Sequence, residues 1–168
     1  MNEPFSVYLV RHAIAAERGA EWPNDDERPL TSRGAARFRE VVAGLAALGV
    51  SFDEILTSPA VRTIQTAELL AQGLTAAPPI VELAALSPTG SIAAVLGELA
   101  KRVDRDAVAL VGHEPAIGTL AARLAGAATP FEFKKGAVCR IDFDRPVAVG
   151  DGRLVWFAPP RLLRQLGD

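Results

Sequence analysis

Short, uncharged apolar runs alternate along the chain with stretches whose apolar positions recur every three or four residues. The first run is Val7-Tyr8-Leu9-Val10, and a second of the same kind is Val108-Ala109-Leu110-Val111. Runs this short and rich in β-branched residues predict strands buried on both faces. A polar loop over residues 13–29 follows the first strand. Thr31 then opens a helix whose apolar face is Ala35, Phe38, Val41, Val42, Leu45 and Leu48, with Gly49 as its stop. A short strand at 54–57 comes next. Ser58-Pro59 predicts a cap residue and a first-turn proline for a helix reaching about Ala71. Pro78-Pro79 interrupts the chain before an extended stretch at 80–83. Ser91 caps a helix with the face Ile92, Val95, Leu96, Leu99 and Val103. After the second apolar run, Pro115 suits the first position of a helix reaching about Leu124, with Gly126 as its stop.

Beyond this point the pattern changes. Residues 138–143 and 154–157 read as strands joined across 145–152, where Asp151-Gly152 is a turn signal for a hairpin. The expected fold class is therefore α/β: a three-layer α/β/α sandwich whose central sheet is mostly parallel with an antiparallel edge. No linker, repeat or low-complexity tract divides the chain. One domain over residues 1–168 is expected, a length that supports a proper core.

Composition narrows the function. Hydrophobic residues make up 49% and charged residues 23%, as in an ordinary globular fold. A net charge of -2 makes no case for nucleic acid or an anionic membrane as partner. The single cysteine, Cys139, excludes an internal disulfide, so a reducing, cytoplasmic location is expected. Cys139 lies in an apolar strand and reads as a buried thiol. The N-terminus lacks signal-peptide features, and no apolar run reaches the ~18 residues of a membrane span.

The only two histidines, His12 and His113, each end one of the two apolar runs. Both imidazoles should thus lie at the C-terminal rim of the sheet, where open α/β sheets bind ligands. Arg11 precedes His12, and Arg62 falls in the first turn of the helix after Ser58-Pro59. Arg11, Arg62 and His113 could surround a tetrahedral dianion, helped by a helix N-terminus. Phosphoryl transfer is catalysed mainly by positioning and charge stabilisation, and a neutral imidazole can be its nucleophile. Nearby arginines should help keep His12 neutral. A serine-hydrolase elbow and a Gly-Lys-Ser/Thr phosphate loop are both missing. Two histidines and one cysteine without close pairing argue against a zinc site, so no metal and no cofactor are expected.

These motifs resemble the histidine phosphatase superfamily, the phosphoglycerate-mutase-like enzymes. Arg11-His12 is similar to its Arg-His-Gly signature. Ser58-Pro59 with Arg62 and Gln65-Thr66 resembles the second motif, and Val111-Gly112-His113-Glu114-Pro115 the third. Arg28-Pro29-Leu30-Thr31-Ser32-Arg33-Gly34, Leu86-Ser87-Pro88-Thr89-Gly90 and Phe157-Ala158-Pro159-Pro160 resemble the short SixA-type phosphohistidine phosphatases. The resemblance implies that His12 becomes phosphorylated while Arg11, Arg62 and His113 hold the phosphoryl oxygens. It also implies Arg28 near the pocket, against the alternative of a surface arginine at a helix start. The implied substrate is a phosphorylated histidine-containing protein or a small phosphorylated molecule.

Two departures from the pattern bear on chemistry. Ala13 replaces a glycine, which matters only if that backbone has positive φ. Ala85 stands where an acid is usual, leaving Glu82, Asp25, Asp26 or no residue as proton donor. A phosphohistidine leaving group is an imidazole that can take its proton from solvent, so a site without an acid suits N–P cleavage. The rivals are a small-molecule phosphomonoesterase on this fold and a member that binds phosphate or phosphoprotein without turnover.

Overall fold

The computed structural model describes residues 3–168. Its centre is a six-stranded sheet in the order β3-β2-β4-β1-β5-β6. The strands are β1 (Phe5–Arg11), β2 (Glu54–Thr57), β3 (Ile80–Glu82), β4 (Ala107–Gly112), β5 (Val138–Phe143) and β6 (Arg153–Ala158). β1, β4, β2 and β3 pair in parallel, while β5 pairs antiparallel with both β1 and β6. The sheet is thus mixed, with its antiparallel pairings at one edge as the turn signals predict.

Five helices cover both faces: α1 (Ser32–Ala47), α2 (Val61–Gly73), α3 (Ile92–Ala100), α4 (Ala116–Ala125) and α5 (Pro160–Leu166). Alternation along each strand splits the core in two. Tyr8 and Val10 face Phe38 and Val42 of α1, Leu70 of α2 and Leu163 of α5. Phe5, Val7 and Leu9 face Val95 and Leu99 of α3 and Ile117 and Leu120 of α4. β1 and β4 are buried except at Arg11 and Ala107, because each face carries a helical layer. Cys139 is fully buried among apolar neighbours, and burial pushes its thiol up to about 12, so it is an inert strand residue.

Several boundaries differ from the sequence pattern. α2 starts at Val61 with Ala60 as its cap residue, not at Pro59. The Ser58 hydroxyl is engaged elsewhere, by a histidine described below. Pro115 occupies the cap position of α4 rather than its first turn. α3 stops at Ala100, so Val103 lies beyond it, and Leu48 caps α1 while 48% exposed. The sequence pattern also gave no sign of α5. Thr31, Ser91 and Gly126 do cap as expected: Thr31 accepts from Gly34 N, Ser91 from Ala94 N, and Gly126 has φ +70°.

Candidate active site

The parallel register of β1 and β4 sets Arg11 opposite Gly112. The next residue along each chain is a histidine, and His12 N donates to Gly112 O at 3.1 Å. The two imidazole centroids are 5.4 Å apart. β2 ends level with them, since Ser58 N donates to Val111 O at 3.1 Å. Three adjacent strand ends therefore deliver the two histidines and the start of α2 to one rim, as the topology of an α/β sheet allows.

His12 is 6% exposed and His113 is 3% exposed. Their hydrogen bonds fix which nitrogen carries the proton. His12 Nδ1 lies 2.7 Å from Ala13 O, a group that only accepts, so Nδ1 is the donor and Nε2 keeps a lone pair. Arg62 Nη2 donates to His113 Nδ1 at 3.2 Å, so His113 Nε2 carries the hydrogen and donates to Ser58 Oγ at 2.8 Å. Burial pushes the His12 imidazole down to about 3. The bond to Ala13 opposes this, while His113, Arg62 and Arg11 add to it. Burial first, and Arg62 second, push His113 down to about 4. Removal from water, more than the arginines invoked from sequence, keeps His12 neutral.

Arg62 is 1% exposed although it is charged and lies in the first turn of α2. Its Nη1 donates to Asp25 O at 2.8 Å and its Nη2 to Asp25 Oδ2 at 3.1 Å. Arg28 is also buried, not a surface residue; its Nε donates to Asp25 Oδ1 at 3.0 Å and its Nη1 to Ala16 O at 2.6 Å. Arg18 Nε lies 3.3 Å from the same Asp25 oxygen. One carboxylate, raised on a 3-10 turn at Asp25–Glu27, thus gathers three arginines. Arg11 is anchored from the other side, with Nη1 donating to Phe133 O at 2.7 Å. The four arginines and the two histidines line a cleft of about 320 Å³ that also includes Glu17, Pro88, Glu114 and Lys135. His12, Arg11, Arg62, His113 and Arg28 are all brought to it.

The two motif residues after Arg62 support the site. Gln65 Oε1 accepts from Leu30 N at 2.7 Å, which holds the segment after Arg28. Thr66 Oγ1 accepts from Ala13 N at 3.1 Å, which holds the loop after His12. Ala13 is buried and is not among the residues with positive φ, so alanine is accommodated there without strain.

The candidate proton donors separate. Glu82 is exposed on β3 and Asp26 is exposed on its turn, and neither lines the cleft. Burial would raise the Asp25 carboxyl, but the Arg28 hydrogen bond and the charges of Arg62, Arg28 and Arg18 outweigh it and lower it. Asp25 therefore stays ionised and does not serve as an acid. Sequence reasoning passed over Glu114, whose only signal was its place beside His113. Glu114 lines the cleft and is pushed up by burial, and its Oε1 accepts from Gly118 N at 2.9 Å.

A neutral imidazole with a free Nε2, beside Arg11, Arg28, Arg62 and a second imidazole in one cleft, is an arrangement suited to holding a phosphoryl group on an α/β scaffold. Comparison with known proteins agrees. Residues 7–87 match the histidine phosphatase superfamily (branch 1). The phosphohistidine phosphatase SixA of Escherichia coli strain K12 is 29% identical over 156 residues, covering 92% of this chain and 93% of that protein. The solved structure of the protein histidine phosphatase SixA complexed with tungstate has a TM-score of 0.85 at 28% identity, over 95% of this chain and 99% of that one. A phosphoglycerate mutase from Bacillus anthracis str. Sterne has a TM-score of 0.69 at 14% identity, over 98% and 97%, a likeness of fold. The chain belongs to the histidine phosphatase superfamily, and its fold is phosphoglycerate-mutase-like.

Proposed function

We propose that this chain, as one domain, hydrolyses protein phosphohistidine through a covalent phosphoenzyme on His12. The observation that carries the reading is the His12 tautomer: Nδ1–H is held by Ala13 O, leaving Nε2 as a lone-pair nucleophile in the arginine-lined cleft. His12 Nε2 attacks phosphorus in line, and the bond from phosphorus to the substrate imidazole breaks. That imidazole nitrogen takes a proton from water. Arg11, Arg62 and Arg28 stabilise the charge on the equatorial oxygens, and His113 joins them when a phosphoryl oxygen replaces Ser58 Oγ as the acceptor of its Nε2–H. Water then attacks phosphorus, His12 leaves, and inorganic phosphate departs with the proton balance closed by solvent. No metal takes part in these steps.

The substrate class is supported by the SixA relatives and by Ala85, which leaves no acid at the turn after β3. One observation favours the alternative of a phosphomonoesterase: Glu114 is a carboxyl in the cleft, raised by burial, that could protonate an alkoxide. The test is labelling with a histidine-containing protein phosphorylated on its histidine, in the presence of chelator. Wild type forms an acid-labile phosphoenzyme, and His12→Ala forms none. Equal labelling of His12→Ala removes the nucleophile. Fast turnover of alkyl phosphates with inertness to phosphohistidine selects the alternative.

A further inference from the structure

A second, smaller cleft lies beside the first, between α1, α5 and the turn that leads into β5. Its charged lining is Arg37, Lys135 and Arg164, and its floor includes Ala13, Phe38 and Pro160. No acidic residue lines it. Among the described residues, neither Arg37 nor Lys135 has a carboxylate within 4 Å. Arg164 has one, the exposed Glu40 at 3.8 Å, while its own Nε is buried without a partner. Three cations gathered with a single, exposed carboxylate near one of them are unusual in a chain of net charge -2.

The two clefts share Lys135. That lysine is not on a loose loop. Gly136 N donates to both Arg11 O and His12 O at 3.1 Å, and Ala137 N closes the turn onto Lys134 O at 2.9 Å. Gly136 has φ +84°, which permits the turn. Lys135 is therefore tied to the backbone of the catalytic strand end, with one cleft on each side.

We propose that this cleft is a carboxylate subsite, which takes an acidic side chain of the phosphoprotein next to its phosphohistidine. The inference rests on the phosphohistidine reading above and adds which proteins are preferred. Shape and chemistry both point to a carboxylate. A space of about 60 Å³ holds one small group, whereas sugar or nucleotide sites run to several hundred Å³. The mixed lining suits an Asp or Glu side chain, with methylenes on Phe38 and Pro160 and oxygens on Arg37, Lys135 and Arg164. Charge complementarity of this kind acts mainly on selectivity and on the rate of encounter.

The test uses three phosphohistidine peptides that differ only in the residues flanking the phosphohistidine: Glu, Gln or Lys. At low salt, wild type should favour the Glu peptide over the Gln peptide by about 3- to 10-fold in kcat/KM. Arg37→Glu should lose that preference and favour the Lys peptide, while its hydrolysis of phosphoramidate stays at the wild-type rate. Arg37→Gln, which adds no charge to α1, should give an intermediate preference and so guards against a folding artefact. Equal rates on the Glu and Gln peptides, or an unchanged preference in Arg37→Glu, overturn the subsite alone. Inertness of wild type to all three peptides, with turnover of phosphate esters, overturns the phosphohistidine reading and the subsite with it.

Discussion

At the scale of single residues, the two histidines differ in which ring nitrogen is committed. His12 gives Nδ1–H to a backbone carbonyl, whereas His113 gives Nε2–H to Ser58 and accepts from Arg62. Both are neutral because they are buried, at about 3 and about 4. Neither should titrate between pH 5 and 8; imidazole proton shifts measured by NMR should stay flat there, and a midpoint near 6.5 for either would contradict this burial. The same shifts set the sign of a stability change. The unfolded chain binds these protons near pH 6.5 and the folded chain only below about 4. Stability is therefore complete above about pH 6.5 and falls as the pH drops towards 4, which thermal melts at pH 7 and pH 5 would show as a lower Tm at pH 5. Asp25 is the other informative residue. It holds Arg62 at both Nη atoms and Arg28 at Nε. Asp25→Asn keeps the backbone contact but weakens both charge-assisted bonds, so KM should rise about tenfold with little change in fold. Steady-state kinetics check this, and partial recovery in Asp25→Glu would separate positioning from a structural defect.

At the scale of elements, α5 shows why periodicity alone missed a helix. It has seven residues, starts with Pro160, and buries only Leu163 fully. That is too short for a periodic signal to stand out. Its position is set by α1 instead. Gly44 of α1 lies so close to Leu163 O that an added Cβ would collide with the α5 backbone. Gly44→Ala should push α5 away and cost about 1–3 kcal/mol, read from urea unfolding. A neutral substitution would show that α5 moves freely. The loop before α1 is a similar case. From sequence it is a polar stretch with two candidate acids. Folded, it makes a 3-10 turn at Asp25–Glu27 and a bridge between Ala15 and Leu30, and its Asp25 becomes the hub of three arginines.

At the scale of the molecule, the site is assembled from segments far apart in sequence: β1, the loop after it, α2, and the start of α4. A bound dianion should therefore brace all of them at once. At inorganic phosphate about 100 times its Kd, stabilisation should be about 2.7 kcal/mol, or roughly 5–10 °C in Tm for a domain of this size. Calorimetry with and without phosphate measures it, and Arg62→Ala should lose most of the shift. The sequence by itself determined the strands, most helices, the sheet class and the pairing of His12 with His113. Those follow from apolar periodicity and from where each histidine falls after its strand, which are local properties. Only the tertiary structure decided that Arg28 is buried, that Asp25 is an ionised clamp, that Glu114 faces the cleft and that a second basic cleft adjoins it. Each of these depends on desolvation and on charges brought together across many residues, and no local pattern encodes either.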